Sequence, residues 1–442
     1  MFAKPKALKG HDTMNVFVRE IAKHLGTDVT IRGWVYNMRS SGKISFLQIR
    51  DGSGFIQAIV SEPQVSKQVW EDAHRLTLES SVIATGTVAK HPKHEVYELH
   101  IKDLKIVQIA QEYPIGKKEH GPDFLLDLRH LWLRSRKQWA IQRIRNTVIN
   151  ATYEWMGNNG FIKIDAPILT PAACEGLSTL FEVPYFDIGK AYLSQSGQLY
   201  IEAAIMAHGR VFDFGPTFRA EKSKTRRHLT EFWMMDAEMA FVEHDENLKI
   251  QEQLISHLVA RCLEKNGEEF KLLERDTKPL EKIAPPFLRM THTEAIKELH
   301  KLGSDISPDD DLGGDDETLL TGKLDKPVFI EKYPAKIKAF YMKRDPKNPE
   351  LALCADMLAP EGYGEIIGGS QREDDYDTLV QRLEENKLPR EAYEWYLDLR
   401  RYGSVPHSGF GYGLERIVGW ISGIRHIRET IPFPRLLNRL TP

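Results

Sequence analysis

The sequence predicts a two-part chain: a small five-stranded β-barrel, then a larger unit in which strands and helices mix. Two observations carry this. Between about residues 28 and 107 apolar and polar residues alternate in five short runs, with one helical stretch after the third. From Gln138 to about Asn158 the apolar spacing becomes helical, and from there to the C-terminus strand-like and helical segments mix. A chain of 442 residues is too long for one ordinary core, which agrees with more than one domain.

The barrel elements follow in order. Val29–Val35 alternates, Ser40-Ser-Gly-Lys43 turns, Ile44–Arg50 alternates, Asp51-Gly-Ser-Gly54 is a tight turn, and Phe55–Val60 alternates again. A helix is expected around Val65–Arg75, then strands near Val82–Val88 and Glu95–Val107. Five strands with a helix after the third is the order of an OB-fold, a barrel that commonly binds single-stranded nucleic acid. Residues 1–108 form this expected domain. Residues 109–136 are polar, contain Pro and Gly, and read as a hinge. Residues 137–442 form the larger domain, with a less defined insertion at about 245–327. Within that insertion the acidic, glycine-containing Ser307–Asp316 loop reads as exposed and mobile, with no assigned chemistry.

Composition narrows the class. Hydrophobic residues make up 41% and charged residues 28%, ordinary for a soluble globular protein. No apolar run approaches the ~18 residues of a membrane span. The lysine-bearing N-terminus has no hydrophobic stretch after it, so a secretory signal is not expected. Cys174, Cys262 and Cys354 are far apart, which argues against a disulfide framework or zinc knuckle and fits a reducing cytoplasm. The net charge of −3 requires any nucleic-acid contact to come from local patches.

Four segments of the larger unit carry chemistry. Gly160-Phe-Ile-Lys-Ile-Asp-Ala-Pro167 is a helix-to-strand junction ending in proline, by itself ordinary turn chemistry. Phe218-Arg-Ala-Glu-Lys-Ser-Lys-Thr-Arg-Arg-His-Leu-Thr-Glu-Phe232 joins two strand-like runs through a loop with five cations between Lys222 and His228. Unpaired cations are too costly to bury, so the loop is either a solvated hairpin tip or a polyphosphate clamp. In the second case Arg219 forks onto a phosphate and Phe232 offers a face to a base. Asp356 and Glu365 flank a glycine-rich turn and suit a hard cation such as Mg²⁺, held partly through substrate phosphates. Gly409-Phe-Gly-Tyr-Gly-Leu-Glu-Arg416 places three glycines at alternate strand positions, leaving one side bare for a ligand. Its GxGxG spacing is not the dinucleotide fingerprint.

Taken together and in this order, the proline-ended junction, FRAE followed by HLTEF, and GFGYGLER near the C-terminus resemble motifs 1, 2 and 3 of the class II aminoacyl-tRNA synthetases. Arg32-Gly-Trp34 and Phe46-Leu-Gln-Ile-Arg-Asp-Gly52 resemble the anticodon-binding barrel of the aspartate, asparagine and lysine subgroup. The resemblance spans nearly the whole chain and is weakest at 245–327. It implies an α+β class: an antiparallel sheet of six or seven strands with flanking helices, behind the OB barrel. It also implies a homodimer with Pro167 at the interface, and ATP-dependent activation of an amino acid before its transfer to tRNA.

The residue roles implied by the resemblance are as follows. Arg219 grips the α-phosphate, Glu221 faces the adenine amino group, and Arg227 or His228 reaches the γ-phosphate. Phe232 and Arg416 sandwich the adenine, while Gly411 and Gly413 let ATP lie on the strand. Asp356 and Glu365 hold Mg²⁺, and Ser370 supplies another contact to metal or substrate. Glu175 and Asp236 hold the substrate ammonium, with Gln198 nearby. In the barrel Phe46 stacks on the central anticodon base and Arg32 and Gln57 read its edges, the alternative for Phe46 being a place in the barrel core.

For the amino acid, aspartate enzymes of this family carry a lysine where this sequence has Ile201. Without it, an aspartate side chain faces only Arg372. Glu202 shares a face with Gln198 whether the segment is strand or helix, where an acid accepts the amide of asparagine and repels aspartate, while Arg372 donates to the amide oxygen. L-Asparagine and its tRNA are the expected substrates. Asp236 departs from this pattern, since asparagine enzymes usually carry glutamate there. An asparagine synthetase on the same fold would lack the barrel, and an inactive paralogue would not need intact Arg219, Glu221, Glu365 and Arg416.

Overall fold

A computed structural model describes residues 13–116, 118–174, 179–223 and 225–442. It divides into two compact units, Met1–Gly121 and Pro122–Pro442.

In the first unit, β1 (Asp28–Ser41), β2 (Ile44–Arg50), β3 (Phe55–Ser61), β4 (Ser81–Lys90) and β5 (Tyr97–Gln108) pair in the order β1-β2-β3-β5-β4, and β4 returns to β1. The sheet therefore closes, leaving only the short parallel strand Met14–Asn15 added beside β1. Helix α1 (Lys67–Arg75) follows β3, with Ser66 capping it by accepting from Val69 N at 3.2 Å. Alternation sends Val29, Ile31, Leu47, Ile49, Ala58 and Val60 into the barrel. The opposite parity puts Phe46, Gln48 and Gln57 on its outer face. This is the five-stranded OB barrel expected, and Phe46 is not part of its core.

The second unit is built on an eight-stranded sheet. Its strands are β6 (Ile162–Lys163), β7 (Arg210–Phe218), β8 (Glu231–Ala240), β9 (Leu288–Thr291), β10 (Val328–Glu331), β11 (Cys354–Ala359), β12 (Gly364–Gln371) and β13 (His407–Gly413). They lie in the order β9-β10-β11-β12-β13-β8-β7-β6. The six central strands are antiparallel, while β9 and β6 add in parallel at the two edges. The α+β class holds, with two more edge strands than the six of the antiparallel centre. Helix α2 (Arg136–Asn158) turns Ile141, Ile144, Val148 and Ala151 into the main core, which it shares with α4 (His244–Lys265) and α7 (Leu414–Ser422). Helix α3 (Gln198–His208) packs beside β7 and β8.

The later half of the stretch read as a hinge is ordered within this unit. It forms the helices Pro122–Asp127 and Arg129–Trp132. Arg129 is 1% exposed and donates to the carbonyl oxygens of Glu429 (3.2 Å), Ile431 (2.7 Å) and Pro432 (2.8 Å). Two helices of six and four residues are too short to show a period, and the carbonyls that hold Arg129 lie about 300 residues away in sequence. The 245–327 segment likewise belongs to the fold: it supplies most of α4, the edge strand β9 and a helix, α5 (Gly314–Thr321).

Candidate active site

A cavity of about 700 Å³ opens on the face of the sheet where β8, β12 and β13 run side by side. One end is lined by Arg219, Glu221, His228, Phe232, Glu365 and Arg416, the other by Ser196, Gln198, Asp236 and Arg372.

At the first end, β7 stops at Phe218 and β8 resumes at Glu231, so Arg219 and Phe232 sit at the root of the cation-rich loop. The Arg219 guanidinium carbon stands 5.4 Å from the Phe232 ring centre. Glu221 accepts from His228 Nε2 at 3.1 Å, and this contact, with Arg219 and Arg416 nearby, holds its carboxyl below the ordinary carboxylate range. Arg227 pairs with Glu317 of α5 and donates to Thr318 Oγ1 (2.9 Å) and the Gly362 carbonyl (3.1 Å). Arg416 pairs with Glu365 Oε2 at 2.6 Å. Burial opposes the charge on Glu365, but Arg416 outweighs it and keeps that carboxyl low.

Asp356 and Glu365 occupy neighbouring antiparallel strands. Asp356 Oδ2 is bound by Lys338 Nζ at 3.0 Å, as Glu365 Oε2 is by Arg416. Their other oxygens converge. A Cβ built on Gly368 would lie 3.3 Å from Glu365 Oε1 and 3.6 Å from Asp356 Oδ1, so glycine keeps a small space open between two carboxylates. Burial, with repulsion from Glu365 and Asp311 set against Lys338, raises Asp356 to about 6; burial and Glu365 raise Glu317 to about 7. Among the described residues no three carboxylate, histidine or cysteine side chains cluster as a complete metal cage. Two carboxylate oxygens facing one gap, one of them with its charge opposed by burial, fit a hard cation that takes its remaining ligands from a substrate.

At the second end the helical alternative for residues 198–202 is the one realised. Gln198 is the first residue of α3, and its Nε2 donates to Glu202 Oε1 at 3.0 Å, one turn on. Asp236 Oδ2 accepts from Ser196 Oγ (2.9 Å) and Gly197 N (2.8 Å), tying β8 to the start of α3. Arg372 pairs through both Nε and Nη2 with Glu238 and donates from Nη1 to Ser370 Oγ at 2.7 Å.

Most of the residues singled out from sequence meet in this cavity: Arg219, Glu221, Arg227, His228, Phe232, Asp236, Gln198, Asp356, Glu365, Arg372, Gly411, Gly413 and Arg416 all line it. Four expectations need correction. Glu202 does not face the cavity: it is completely buried, and its Oε2 accepts from Tyr396 OH (2.7 Å) and Arg400 (2.9 Å), with His407 Nε2 at 3.1 Å. Ser370 is equally buried and accepts from Arg372, which lines the cavity. Ile201 packs into an apolar cluster with Ile205 and Val211 and is not among the residues that line the cavity. The glycine strand also works differently from expectation. A Cβ on Gly409 would collide with the Glu238 carboxylate, and one on Gly411 would stand 2.5 Å from Asp236 Oδ1. These glycines make room for the acids of β8. Gly413 alone fits the bare-strand reading, with only the Arg416 stem near, at 3.8 Å. Glu175 lies outside the described residues.

Sequence reasoning missed Glu238, Glu317, Lys338 and Arg400. Glu238 had a signal, an acid two residues from Asp236 on the same strand face; the others are brought in by distant segments.

On the barrel, Arg39 stands 4.7 Å over the half-buried Phe46 ring, Gln57 donates to Glu98 at 2.6 Å, and Arg32 is exposed. Pro167 is exposed beside Ile168 (44%) and Leu169 (42%).

A barrel joined in sequence to an antiparallel sheet with this arginine-and-carboxylate cavity defines a class II aminoacyl-tRNA synthetase architecture. The chain belongs to that family: residues 121–437 match the tRNA synthetases class II (D, K and N), and residues 29–107 match the OB-fold nucleic acid binding domain. Among solved structures it is similar to asparaginyl-tRNA synthetase from Pyrococcus horikoshii complexed with asparaginyl-adenylate. The identity is 46%, over 97% of this chain and 99% of that one, at a TM-score of 0.93. It is also similar to the Entamoeba histolytica asparaginyl-tRNA synthetase (32% identity, 98% and 100% covered, TM-score 0.88). The aspartyl enzyme of the same organism is 29% identical, with 99% and 96% covered and a TM-score of 0.82.

Proposed function

We propose that this chain is an asparagine–tRNA ligase, which activates L-asparagine with ATP and transfers it to tRNA-Asn. The observation that carries the choice of amino acid is the Glu238–Arg372 pair. Burial and the nearby Glu202 and Asp236 raise the Glu238 carboxyl, against Arg372, whose two-nitrogen grip favours its anion. That anion neutralises the cation at the amino-acid end, so an aspartate side chain would enter with little charge to meet. An asparagine amide needs none.

In the first step the asparagine carboxylate attacks the α-phosphorus of ATP; the new C–O–P bond forms as the bond to the β-phosphate breaks, and pyrophosphate leaves. In the second, a terminal ribose hydroxyl of the tRNA attacks the acyl carbon and AMP leaves. Neither step needs a protein nucleophile. Arg219 neutralises charge developing at the α-phosphate, Phe232 and Arg416 hold the base between them, and Glu221 accepts from its amino group. Arg227 and His228 serve the terminal phosphates. Asp236 and Gln198 hold the amino-acid ammonium, and Glu175 joins them. Asp356 and Glu365 would hold Mg²⁺, which when bound screens the phosphate charges.

Residues 1–108 serve as the anticodon module, with Phe46 stacking on a base and Arg32 and Gln57 beside it. The stretch from 109 to about 121 serves as the connection, and the remainder, with the two short helices at Pro122–Asp127 and Arg129–Trp132, as the catalytic part. The exposed Pro167, Ile168 and Leu169 next to edge strand β6 support a homodimer interface. No helix among the described residues is long and apolar enough to cross a membrane. Three buried cysteines support a cytoplasmic place.

Pyrophosphate exchange with each amino acid at equal concentration tests the reading, with asparagine expected to dominate. Exchange supported equally by aspartate would overturn the substrate, and a single-chain mass by light scattering at micromolar concentration would overturn the dimer.

A further inference from the structure

Behind the amino-acid end of the cavity lies a buried cluster that no step of the reaction uses directly. Glu202 and Arg400 are both fully buried, with side chains 0% exposed, and their charges meet at 2.9 Å. Tyr396 and Arg400 come from helix α6 (Glu394–Arg401), and His407 opens β13. Tyr396 OH donates to the same Glu202 oxygen, Oε2, at 2.7 Å, Arg400 stacks over the Tyr396 ring at 4.3 Å, and Arg400 Nε anchors to the Glu373 carbonyl at 2.9 Å. Burial opposes the Glu202 charge, but Arg400, His407 and Arg372 outweigh it and hold the carboxyl well below its usual range.

An ionised carboxylate only accepts hydrogen bonds. Glu202 Oε1 therefore has to receive the NH₂ of Gln198, which turns the Gln198 carbonyl oxygen away from Glu202. Gln198 lines the cavity. Without a fixed anion behind it, the side-chain amide could flip and present either a donor or an acceptor.

We infer that Arg400, together with Tyr396 and His407, is a positioning residue for amino-acid binding: by holding Glu202 as an anion it fixes the Gln198 amide with its acceptor oxygen toward the cavity. That acceptor suits an ammonium or amide N–H of the substrate, and it sets the polarity of the site from two residues away. The inference rests on the proposed synthetase reaction, but not on which amino acid is activated.

The test uses the full-length chain and pyrophosphate exchange with whichever amino acid supports exchange in the unaltered protein, so that a wrong substrate and a wrong role for Arg400 are told apart. Arg400→Met removes the cation, Arg400→Lys restores charge without the planar fork, and Glu202→Gln lets the amide behind Gln198 both donate and accept. The expected result is a KM for the amino acid raised about tenfold or more in Arg400→Met and Glu202→Gln, with partial recovery in Arg400→Lys and the KM for ATP within about twofold of the original. Tyr396→Phe, which removes one hydroxyl and little volume, should raise the same KM by severalfold and serves if the charge variants do not fold. The inference is overturned if the KM for ATP rises in parallel, or if the amino-acid KM stays unchanged in folded Glu202→Gln or Tyr396→Phe.

Discussion

Glu238→Gln should shift the enzyme toward aspartate. The pair it breaks is closed from solvent, with side chains 3% and 1% exposed, and Arg372 grips Glu238 through two nitrogens. An aspartate carboxylate reaching Arg372 in the unaltered protein meets a neutral pair; in the variant, with a neutral amide in place of the acid, it meets an uncompensated guanidinium. Two unit charges about 4 Å apart at an effective dielectric near 20 attract by about 4 kcal/mol, a ceiling of roughly 10³ in relative rate. Dehydrating the entering carboxylate takes back part of this, and Glu202 adds a second negative charge nearby. The expected gain in the aspartate-to-asparagine ratio is therefore roughly 10- to 100-fold. The assay is pyrophosphate exchange with both amino acids at equal concentration, on protein shown to be folded. Breaking a buried pair from one side costs about 3–5 kcal/mol of stability, softened here because glutamine still accepts from Arg372, so a lower melting temperature should accompany the shift. A folded variant whose ratio is unchanged, or moves toward asparagine, would refute the account of Arg372 as a neutralised cation.

Three further outcomes follow from other parts of the chain. Arg219→Ala should cut pyrophosphate exchange by about 10²–10³-fold while leaving tRNA binding intact, since it removes one preorganised donor from the developing charge; near-normal exchange would sink that role. Phe46→Ala should weaken tRNA charging by about 1–3 kcal/mol, the worth of one base stacked on a ring, with exchange in the absence of tRNA untouched; if both fall together, the ring supports the barrel instead. Glu331 is buried, yet His244 (2.8 Å) and Arg289 (2.7 and 2.9 Å) overcome that burial and lower it to about 2 from a usual 4.5. A depressed carboxyl stabilises the fold above its unfolded value and loses that contribution as pH falls from about 4.5 to 2. Glu331→Gln should therefore flatten the acid limb of the stability profile across that window and lower stability at neutral pH; an unchanged limb would show that the pair contributes nothing.

The barrel was legible almost strand for strand because a period of two, broken by Gly- and Ser-bearing turns, is written locally in the sequence. The nucleotide end was legible for a similar reason: Arg219, Glu221, His228 and Phe232 fall within fifteen residues, and such a density of cations has few structural uses. The amino-acid end was only half legible. Gln198 and Asp236 could be found, but what they face is decided by residues far off in the chain. Arg372 finds Glu238 across 134 residues, Arg227 finds Glu317 across 90, and Glu202 finds Arg400 across 198. No local pattern reports such partners, which is why Glu202 read as a wall residue while it stands behind the wall.

The glycine strand shows how this changes the meaning of a motif. Read alone, Gly409, Gly411 and Gly413 describe a strand with one bare side, and a bare side suggests a ligand. Beside β8 the first two glycines face acids: Gly409 pairs with Glu238 and Gly411 with Asp236 in the strand register. The acids fill the space that a Cβ would take. Glu238 can then reach across to Arg372, and Asp236 can tie down the turn that starts α3. The glycines thus act one layer before the chemistry. They allow two buried carboxylates to lie flat against the sheet, and those carboxylates set the charge that the amino-acid end of the cavity presents. A motif that reads as permission for ATP is, over two of its three glycines, permission for two buried acids at the proposed amino-acid end.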